Sequence, residues 1–335
     1  MKVIKPGLLT TVQDPGRLGL QHLGVVPCGA MDPVALELAN ALVGNGRDAA
    51  TLEFTVLGPE LALESDALVA SCGAEFDARV DGKPLPLDRP VLLRKGSVLA
   101  AGRALRGSRA YLAVAGGIET PTVLGSRSTC LPAGFGGLQG RALRAGDTVP
   151  LAPEAATLAL KRYLKISGRK KAGPAGMSTV RWTAPAPTLP EGDRVLVHAM
   201  EGRHHAQFDA AARRAFFEAT WKVSPDSNRM GFRLAGPVLA LTEAVEILSE
   251  PTCLGTVQVP SGGLPIALMA DHQTTGGYPK IAEIAGADVP RLAQLAPGGS
   301  VQFARCTLEE AATLRRALRT RLDATLRTLA WEFGG

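Results

Sequence analysis

Aromatic side chains are scarce in this 335-residue chain: nine Phe, three Tyr and three Trp, 4% of the whole. Cores must therefore be assembled from Val, Leu, Ala and Ile, and the interleaving of aromatic and basic residues used by single-strand nucleic-acid binders is missing. Cysteine is sparse too. Cys28, Cys72, Cys130, Cys253 and Cys306 stand singly, with no C-x-x-C pair and no His spacing that suits zinc, so no metal ligand set is read. An odd, unpaired set argues for a reducing compartment, and a cytoplasmic protein is expected. No apolar run reaches the length of a membrane span, and the opening Met1-Lys2-Val3-Ile4-Lys5 has no signal-like core. With 46% hydrophobic and 20% charged residues the chain is not a disordered one. Its net charge of +6 is spread along the sequence and weighted to the C-terminal region, which suits small anionic substrates better than nucleic acid.

What the chain has in quantity is punctuation. Thirty-eight Gly and 24 Pro break the apolar residues into short runs, such as Val91 to Leu93, Val98 to Ala101 and Tyr111 to Ala115, the spacing of a mainly β protein built of sandwiches or barrels. Helical spacing is clear in three places. Asp32 caps a helix that Pro33 opens and Gly44 closes; a second runs from Phe208 to Phe217. A third runs from Leu308 to about Trp331, where Thr307 and Glu310 form a capping box, and is expected to pack one apolar face on the second half of the chain. Leu52-Glu53-Phe54-Thr55-Val56-Leu57-Gly58-Pro59-Glu60-Leu61 matches Met230 to Leu239 at the apolar positions and at Gly-Pro. Turns led by Gly96, Gly146, Gly192 and Gly299 each enter an apolar strand. Two similar β-barrels in tandem follow, spanning 1–180 and 181–335, with the Ala, Lys, Gly and Pro-rich segment from Ala152 to Pro190 as crossover.

Four polar clusters are candidates for chemistry. The first, Thr10 to Arg17 followed by Gly29 to Asp32, is partly explained by a turn at Asp14-Pro15-Gly16 and a helix cap at Asp32; Gln13 and Arg17 are left over. The second gathers Gly116-Gly117, Gly125-Ser126-Arg127-Ser128-Thr129 and Gly134 to Gly137. It reads either as an anion-binding loop with Arg127 or as a stiff loop over a barrel end, and it lacks P-loop spacing. The third, Asp226-Ser227-Asn228-Arg229, offers Arg229 as a carboxylate contact. The fourth gathers Ser249-Glu250 and Gln258-Val259-Pro260-Ser261-Gly262-Gly263 with the point where the apolar run Leu264 to Ala270 gives way abruptly to Asp271-His272-Gln273-Thr274-Thr275-Gly276-Gly277-Tyr278, Gln258 lying on a neighbouring strand. A turn needs only the glycines, so the amide, hydroxyls, carboxylate and phenol point to a binding site. Asp271 and Gln258 are the expected catalytic groups, as acid or base and polarising amide. Gln273, Thr274, Thr275, Gly276, Gly277 and Tyr278 are expected to bind substrate with Arg229, Arg17, Gln13 and Arg127.

At these motifs the chain resembles the family called allophanate hydrolase subunit 2, also the biotin-dependent carboxyltransferase C/D domain and the group of 5-oxoprolinase C subunits. The likeness runs from Gly7-Leu8-Leu9-Thr10-Thr11-Val12-Gln13-Asp14-Pro15-Gly16-Arg17 through Gly125-Ser126-Arg127-Ser128-Thr129 and Ser227-Asn228-Arg229-Met230-Gly231, and is strongest at Asp271 to Pro279. The resemblance implies two tandem cyclophilin-like barrels, and a partner, the B subunit or allophanate hydrolase subunit 1 homologue, against which an active cleft forms. It further implies a LamB/YcsF-type A subunit, with ATP used in the assembled complex to open the lactam of 5-oxoproline to L-glutamate by way of a phosphorylated lactam. Two alternatives come with it: one component of a biotin-dependent urea or amide carboxyltransferase, and a non-catalytic regulator that binds a kinase-inhibitor partner. The chain has no Ala-Met-Lys-Met biotin-attachment site. Val26, Cys28, Ser261 and His272 stand where the family pattern leads one to expect Pro, Ser, Pro and Arg, and His272 removes one expected anion contact.

Overall fold

The computed structural model describes residues 1–169, 176–185, 189, 194–243 and 246–334. The chain forms two compact units that are discontinuous in sequence. The first comprises Met1–Gly16, Asp32–Leu189 and Arg321–Gly335, the second Arg17–Met31 and Pro190–Thr320. The sequence predicts contiguous halves, because a strand pattern carries no signal that a short N-terminal loop will cross to the other unit.

In the first unit two antiparallel sheets enclose one core. The six-stranded sheet runs, in spatial order, Met177–Thr179, Val91–Leu93, Ala67–Phe76, Ala104–Val114, Thr51–Thr55 and Leu9–Gln13. The five-stranded sheet runs Lys2–Lys5, Glu60–Ala62, Val98–Ala100, Arg79–Val80 and Lys83–Pro84. Strand alternation sends Leu52, Phe54, Leu112 and Val114 into this core. The opposite face of the large sheet is buried as well, and it is polar. Tyr111 donates from its hydroxyl to Glu53 Oε2 at 2.7 Å and accepts from the Asp32 backbone N–H at 2.7 Å, all three residues being buried. Asp32 Oδ1 in turn accepts from Ala35 N at 3.0 Å, the expected N-cap of helix Pro33–Leu42. That helix lies on the strands Ala67–Phe76 and Ala104–Val114.

Helix Ala155–Ser167 lies in the stretch that the sequence predicts to be a crossover. Its buried stripe is Ala155, Ala159, Tyr163 and Ile166, an i, i+4, i+8, i+11 spacing whose first two members are too small to register as an apolar face. The matched Gly-Pro pairs have a common cause. A Cβ on Gly58 would meet the Ala101 Cβ at 2.4 Å, and one on Gly236 would meet the Trp221 ring at 2.6 Å. In both places only glycine lets the chain turn over a core side chain, so that Leu61 and Leu239 are buried just beyond.

The second unit is a closed seven-stranded barrel in the order Arg194–Glu201, Lys280–Ile284, Thr256–Gln258, Ile266–Leu268, Gly231–Ala235, Trp221–Val223 and Ser300–Arg305. All pairings are antiparallel except Arg194–Glu201 with Ser300–Arg305. The mainly β plan of two tandem barrel-like units expected from the sequence is what the described residues form, a closed barrel in the second unit and a pair of sheets around one core in the first. Aromatic rings meet one another in this unit: Phe216 stacks on Phe303 at 4.4 Å and meets Phe217 edge-on at 4.9 Å, while Trp221 Nε1 donates to the Phe216 carbonyl at 3.0 Å. Helix Ala210–Glu218 is capped by Asp209, whose Oδ1 accepts from Ala212 N at 2.6 Å. The turns at Gly96 and Gly299 enter strands as predicted, and the one at Gly146 leads into an isolated bridge between Thr148 and Lys2. The turn at Gly192 lies outside the described residues.

Helix Leu308–Glu332 begins with the expected capping box, Thr307 N to Glu310 Oε2 at 2.8 Å and Glu310 N to Thr307 Oγ1 at 3.2 Å. The sequence predicts packing on the second barrel, but the residues from Arg321 onward belong to the first unit. There Asp323 pairs with Arg47 at 2.9 Å and the Phe333 carbonyl accepts from Lys165 Nζ at 2.9 Å. No helix among the described residues is long and apolar enough to cross a membrane.

Asp88 sits in the first unit with a left-handed backbone, φ 53°, beside the buried Cys72 thiol. Burial pushes its carboxyl up to about 6, and Glu75 adds to this, against the lowering effects of the Cys72 hydrogen bond and Arg89. A carboxyl raised in the folded state is a stabilising proton site at low pH whose contribution is lost as pH rises from about 4 through about 6. Asp88→Asn, which also suits positive φ, is therefore expected to be more stable than the parent at neutral pH. The upper bound is about 3 kcal/mol from 1.36 kcal/mol per unit, with the difference vanishing near pH 4. Urea denaturation of both proteins across that range checks it; a pH-independent difference would rule out Asp88 as the titrating group.

Candidate functional site

Met269 to His272 are all buried, so the chain leaves strand Ile266–Leu268 inside the barrel wall and surfaces only at Gln273. The junction is held by Arg229. Its Nε donates to Asp271 Oδ2 at 3.0 Å and its Nη2 to Asp271 Oδ1 at 2.9 Å, a two-pronged pair in which the side chains are 2% and 1% exposed. The same Nη2 reaches the Gly29 carbonyl at 2.5 Å, and Asp271 N donates to the Arg229 carbonyl at 2.8 Å. The third and fourth sequence clusters thus meet, though not as expected: both carboxylate oxygens of Asp271 are taken by a permanent cation. That arrangement suits a positioning pair better than an acid or base.

Past the pair, His272 Nδ1 lies 2.7 Å from the Gln273 carbonyl, which fixes the proton on Nδ1, and Thr252 Oγ1 donates to the same carbonyl at 2.5 Å. Burial lowers the His272 pKa, outweighing the carbonyl and Asp271, which raise it. The shift favours the neutral ring, which is no substitute for the permanent charge of an arginine. Gln273 Nε2 donates across to Gln258 Oε1 at 3.4 Å, so Gln258 meets the loop through Gln273. A Cβ on Gly276 would stand 3.2 Å from both amide side chains, and one on Gly277 would stand 3.0 Å from the Ile247 carbonyl oxygen. The glycines make room for the chain's own polar groups. Thr274 is half-buried, whereas Thr275 and Tyr278 are exposed.

The loop is fastened from below. Thr275–Gly276 pairs antiparallel with Glu250–Pro251, and Thr252 N donates to the Thr274 carbonyl at 3.0 Å. Lys280, buried and opposite Gln258 in register, donates Nζ to Glu250 Oε1 at 2.5 Å. The Lys280 N–H donates to His204 Nδ1 at 3.2 Å, which puts the His204 proton on Nε2, 3.5 Å from Glu250 Oε1. Arg203 lies 3.3 Å from Glu250 Oε2. The Lys280 hydrogen bond, with the charges of Lys280, Arg203 and His204 behind it, holds the Glu250 carboxyl below its ordinary range. Sequence reasoning misses Thr252 and His204 as parts of this set, since neither carries a motif; the one signal nearby is Glu250, a carboxylate close in sequence to the Gln258 strand.

The first and second clusters also meet, in the first unit. Asp14 Oδ1 accepts from Ser126 Oγ at 2.6 Å, Ser128 Oγ at 2.5 Å and Gly16 N at 2.8 Å, while Oδ2 accepts from Arg127 N at 2.6 Å. The anion cradled by this glycine-rich loop is the chain's own carboxylate. The Arg127 guanidinium is engaged by Thr122 at 2.6 Å and Glu119 at 2.9 Å. Gln13 is buried and donates to Thr11 Oγ1 at 3.0 Å and the Thr129 carbonyl at 3.3 Å. Arg17, buried, belongs to the second unit, where its N–H donates to the Pro27 carbonyl at 2.7 Å.

With this geometry in place, the comparisons with known proteins are specific. The family model for the carboxyltransferase domain, subdomain A and B, matches residues 23–305. The chain belongs to that family. The C subunit of the 5-oxoprolinase of Escherichia coli (strain K12) is 40% identical over 316 residues, covering 94% of each chain, and that of Haemophilus influenzae is 36% identical over 313 residues, covering 93% of each. Urea amidolyase of Saccharomyces cerevisiae is 30% identical over 339 residues, 98% of this chain but 18% of the yeast protein. Among solved structures, the K. lactis urea amidolyase superposes with a TM-score of 0.85 at 30% identity, covering 97% of this chain and 20% of that one.

Two outcomes are expected of this site. Asp271→Ala leaves a buried guanidinium without its counter-ion and should cost about 3–5 kcal/mol, while Arg229→Met combined with Asp271→Leu should recover more than half of that loss; equilibrium denaturation of the three proteins checks it, and a double variant no more stable than the single one would count against the pair. Lys280→Met should speed hydrogen exchange at the Thr252 N–H while leaving the barrel amide of Val257 unchanged. Equal changes at both would mean that the ion pair supports the barrel and not the loop.

Proposed function

We propose that this chain is the C subunit of an ATP-dependent 5-oxoprolinase, a lactam hydrolase that works in the cytoplasm as a complex with homologues of the B subunit and of the LamB/YcsF-type A subunit. The supporting observation is the full-length similarity to two 5-oxoprolinase C subunits, 94% and 93% of either chain, against 18% of the yeast urea amidolyase. The loop chemistry agrees. A lactam offers one N–H and one C=O side by side, and the Gln258–Gln273 pair, joined through Gln273 Nε2 and Gln258 Oε1, has the Gln273 Oε1 acceptor and the Gln258 Nε2 donor as its other ends. Neutral amides fit a neutral substrate group, polarising its carbonyl oxygen without adding a charge. In this reading Gln258, Gln273, Thr274 and Thr275 bind the amide, Gly276 and Gly277 give them room, and Tyr278 forms an exposed wall. Asp271 acts through Arg229 to hold the loop.

ATP supplies the phosphoryl group that makes an amide oxygen a leaving group. The donors at Gly125–Ser128 do not fit a nucleotide phosphate, because Asp14 already fills them, so this loop is not part of the proposed ATP chemistry. Free cysteines throughout suit the compartment. A second reading, the carboxyltransferase half of a biotin-dependent urea or amide carboxylase, draws on the structural match to K. lactis urea amidolyase.

Mixed with its A- and B-type partners, the chain is expected to release glutamate from 5-oxoproline only when ATP is present, and not to move a carboxyl group from carboxybiotin to urea. Gln258→Ala and Gln273→Ala should each lower kcat/KM by about three- to tenfold, the worth of one neutral hydrogen bond, with assembly intact. Carboxyl transfer without 5-oxoproline-dependent ATP hydrolysis would reverse the order of the two readings.

A further inference from the structure

The Gln258–Gln273 pair lies beside an unequal set of charges. Glu250 is opposite Gly276 in register, and Gly276 is where an added Cβ would stand 3.2 Å from both amide side chains. Two cations share that one carboxylate, Lys280 Nζ at 2.5 Å from Oε1 and Arg203 Nη1 at 3.3 Å from Oε2, which leaves one positive charge in excess. The next carboxyl along, Glu283, accepts from Thr256 Oγ1 at 2.8 Å, and burial raises its pKa and favours the protonated form. The two cations differ in access. The Lys280 side chain is 4% exposed, whereas that of Arg203 is 76% exposed, with Glu250 as its one ion-pair partner among the described residues. An exposed pair of this kind contributes little, so the guanidinium is at liberty to turn to another anion. Its main chain is fixed: Gly202 N donates to the Ile281 carbonyl at 2.9 Å and His204 N to the Lys280 carbonyl at 3.0 Å. A Cβ on Gly202 would meet the Lys280 carbonyl oxygen at 2.5 Å, so glycine is what lets this turn lie against the strand.

5-Oxoproline carries a carboxylate on the ring carbon next to its lactam nitrogen, so a site that binds the lactam must also meet an anion close by. A guanidinium answers a carboxylate with two parallel N–H donors. We propose that Arg203 binds the substrate carboxylate while Gln258 and Gln273 bind the lactam, so that the site selects amides that carry an anion over neutral ones. The assignment rests on the 5-oxoprolinase reading. Glu250 holds the guanidinium beside the empty site, and Lys280 keeps that carboxylate paired when Arg203 turns to the substrate. Urea is neutral and would leave Arg203 without a task.

The test measures ATP hydrolysis by the complete mixture of this chain with its A- and B-type partners, driven by 5-oxoproline or by its neutral carboxamide. Arg203→Met is expected to raise the KM for 5-oxoproline by about ten- to a hundredfold, the worth of a hydrogen bond to a charged group, with a much smaller change in kcat. The preference for 5-oxoproline over the carboxamide, taken as the ratio of kcat/KM values, should fall by a similar factor. Arg203→Lys, which keeps the charge without the fork, should lie between. Because the side chain is exposed, neither variant should shift the melting temperature. If the parent mixture is active and both variants keep its KM and its preference, the assignment falls and the 5-oxoprolinase reading stands. A loss of kcat with the preference intact would make Arg203 a support for Glu250 and overturn the assignment as well. If the parent mixture shows no 5-oxoproline-dependent ATP hydrolysis, the 5-oxoprolinase reading fails and takes the assignment with it.

Discussion

The Arg229–Asp271 pair is the constraint on which the candidate site turns. A carboxylate and a guanidinium removed from water together are tolerated only when every strong donor and acceptor is met, and here the fork of one faces both oxygens of the other while Nη2 also finds Gly29. That geometry pins three separate stretches of the second unit to one point: the segment before strand Gly231–Ala235, the exit of strand Ile266–Leu268, and the N-terminal loop 17–31. Everything beyond Asp271 is then directed outward from a fixed origin.

From that origin the loop is built by polar groups that answer one another. Thr252 and His272 share the Gln273 carbonyl, Gln273 leans on Gln258, and Lys280 draws Glu250 and its short ribbon against the barrel. Such networks are stiff because losing one member strands another. Gln273 stands at the start of that loop and Gln258 on the buried barrel strand beside it, so two neutral amides meet where the loop leaves the barrel.

Much of this is readable in the residues alone. The caps at Asp32 and Thr307, the mainly β plan and the prominence of Asp271 to Tyr278 all follow from local rules about turns, termini and polarity. What escapes is non-local. Asp271 looks like a free acid in sequence because its partner lies 42 positions away; the Ser126-Arg127-Ser128 loop looks like an open anion site because the anion that fills it, Asp14, lies 112 to 114 positions upstream. Helix Ala155–Ser167 is hidden by alanines that bury a face without marking it as apolar. Thr252 and His204 carry no pattern, and only the pairing of the Glu250 and Thr275 ribbon reveals them.

The return of residues 17–31 to the second unit, and of the final turns of the last helix to the first, has a consequence for biosynthesis. On a ribosome elongating at roughly 5–20 residues per second, the Arg17–Met31 segment emerges roughly ten to fifty seconds before the barrel residues that it joins have been made. Over that interval Met31, destined for the barrel core, is an orphan beside a first unit that is itself still waiting for its last turns of helix. Cutting the chain at the obvious midpoint would therefore yield two fragments that each lack residues belonging to their own unit.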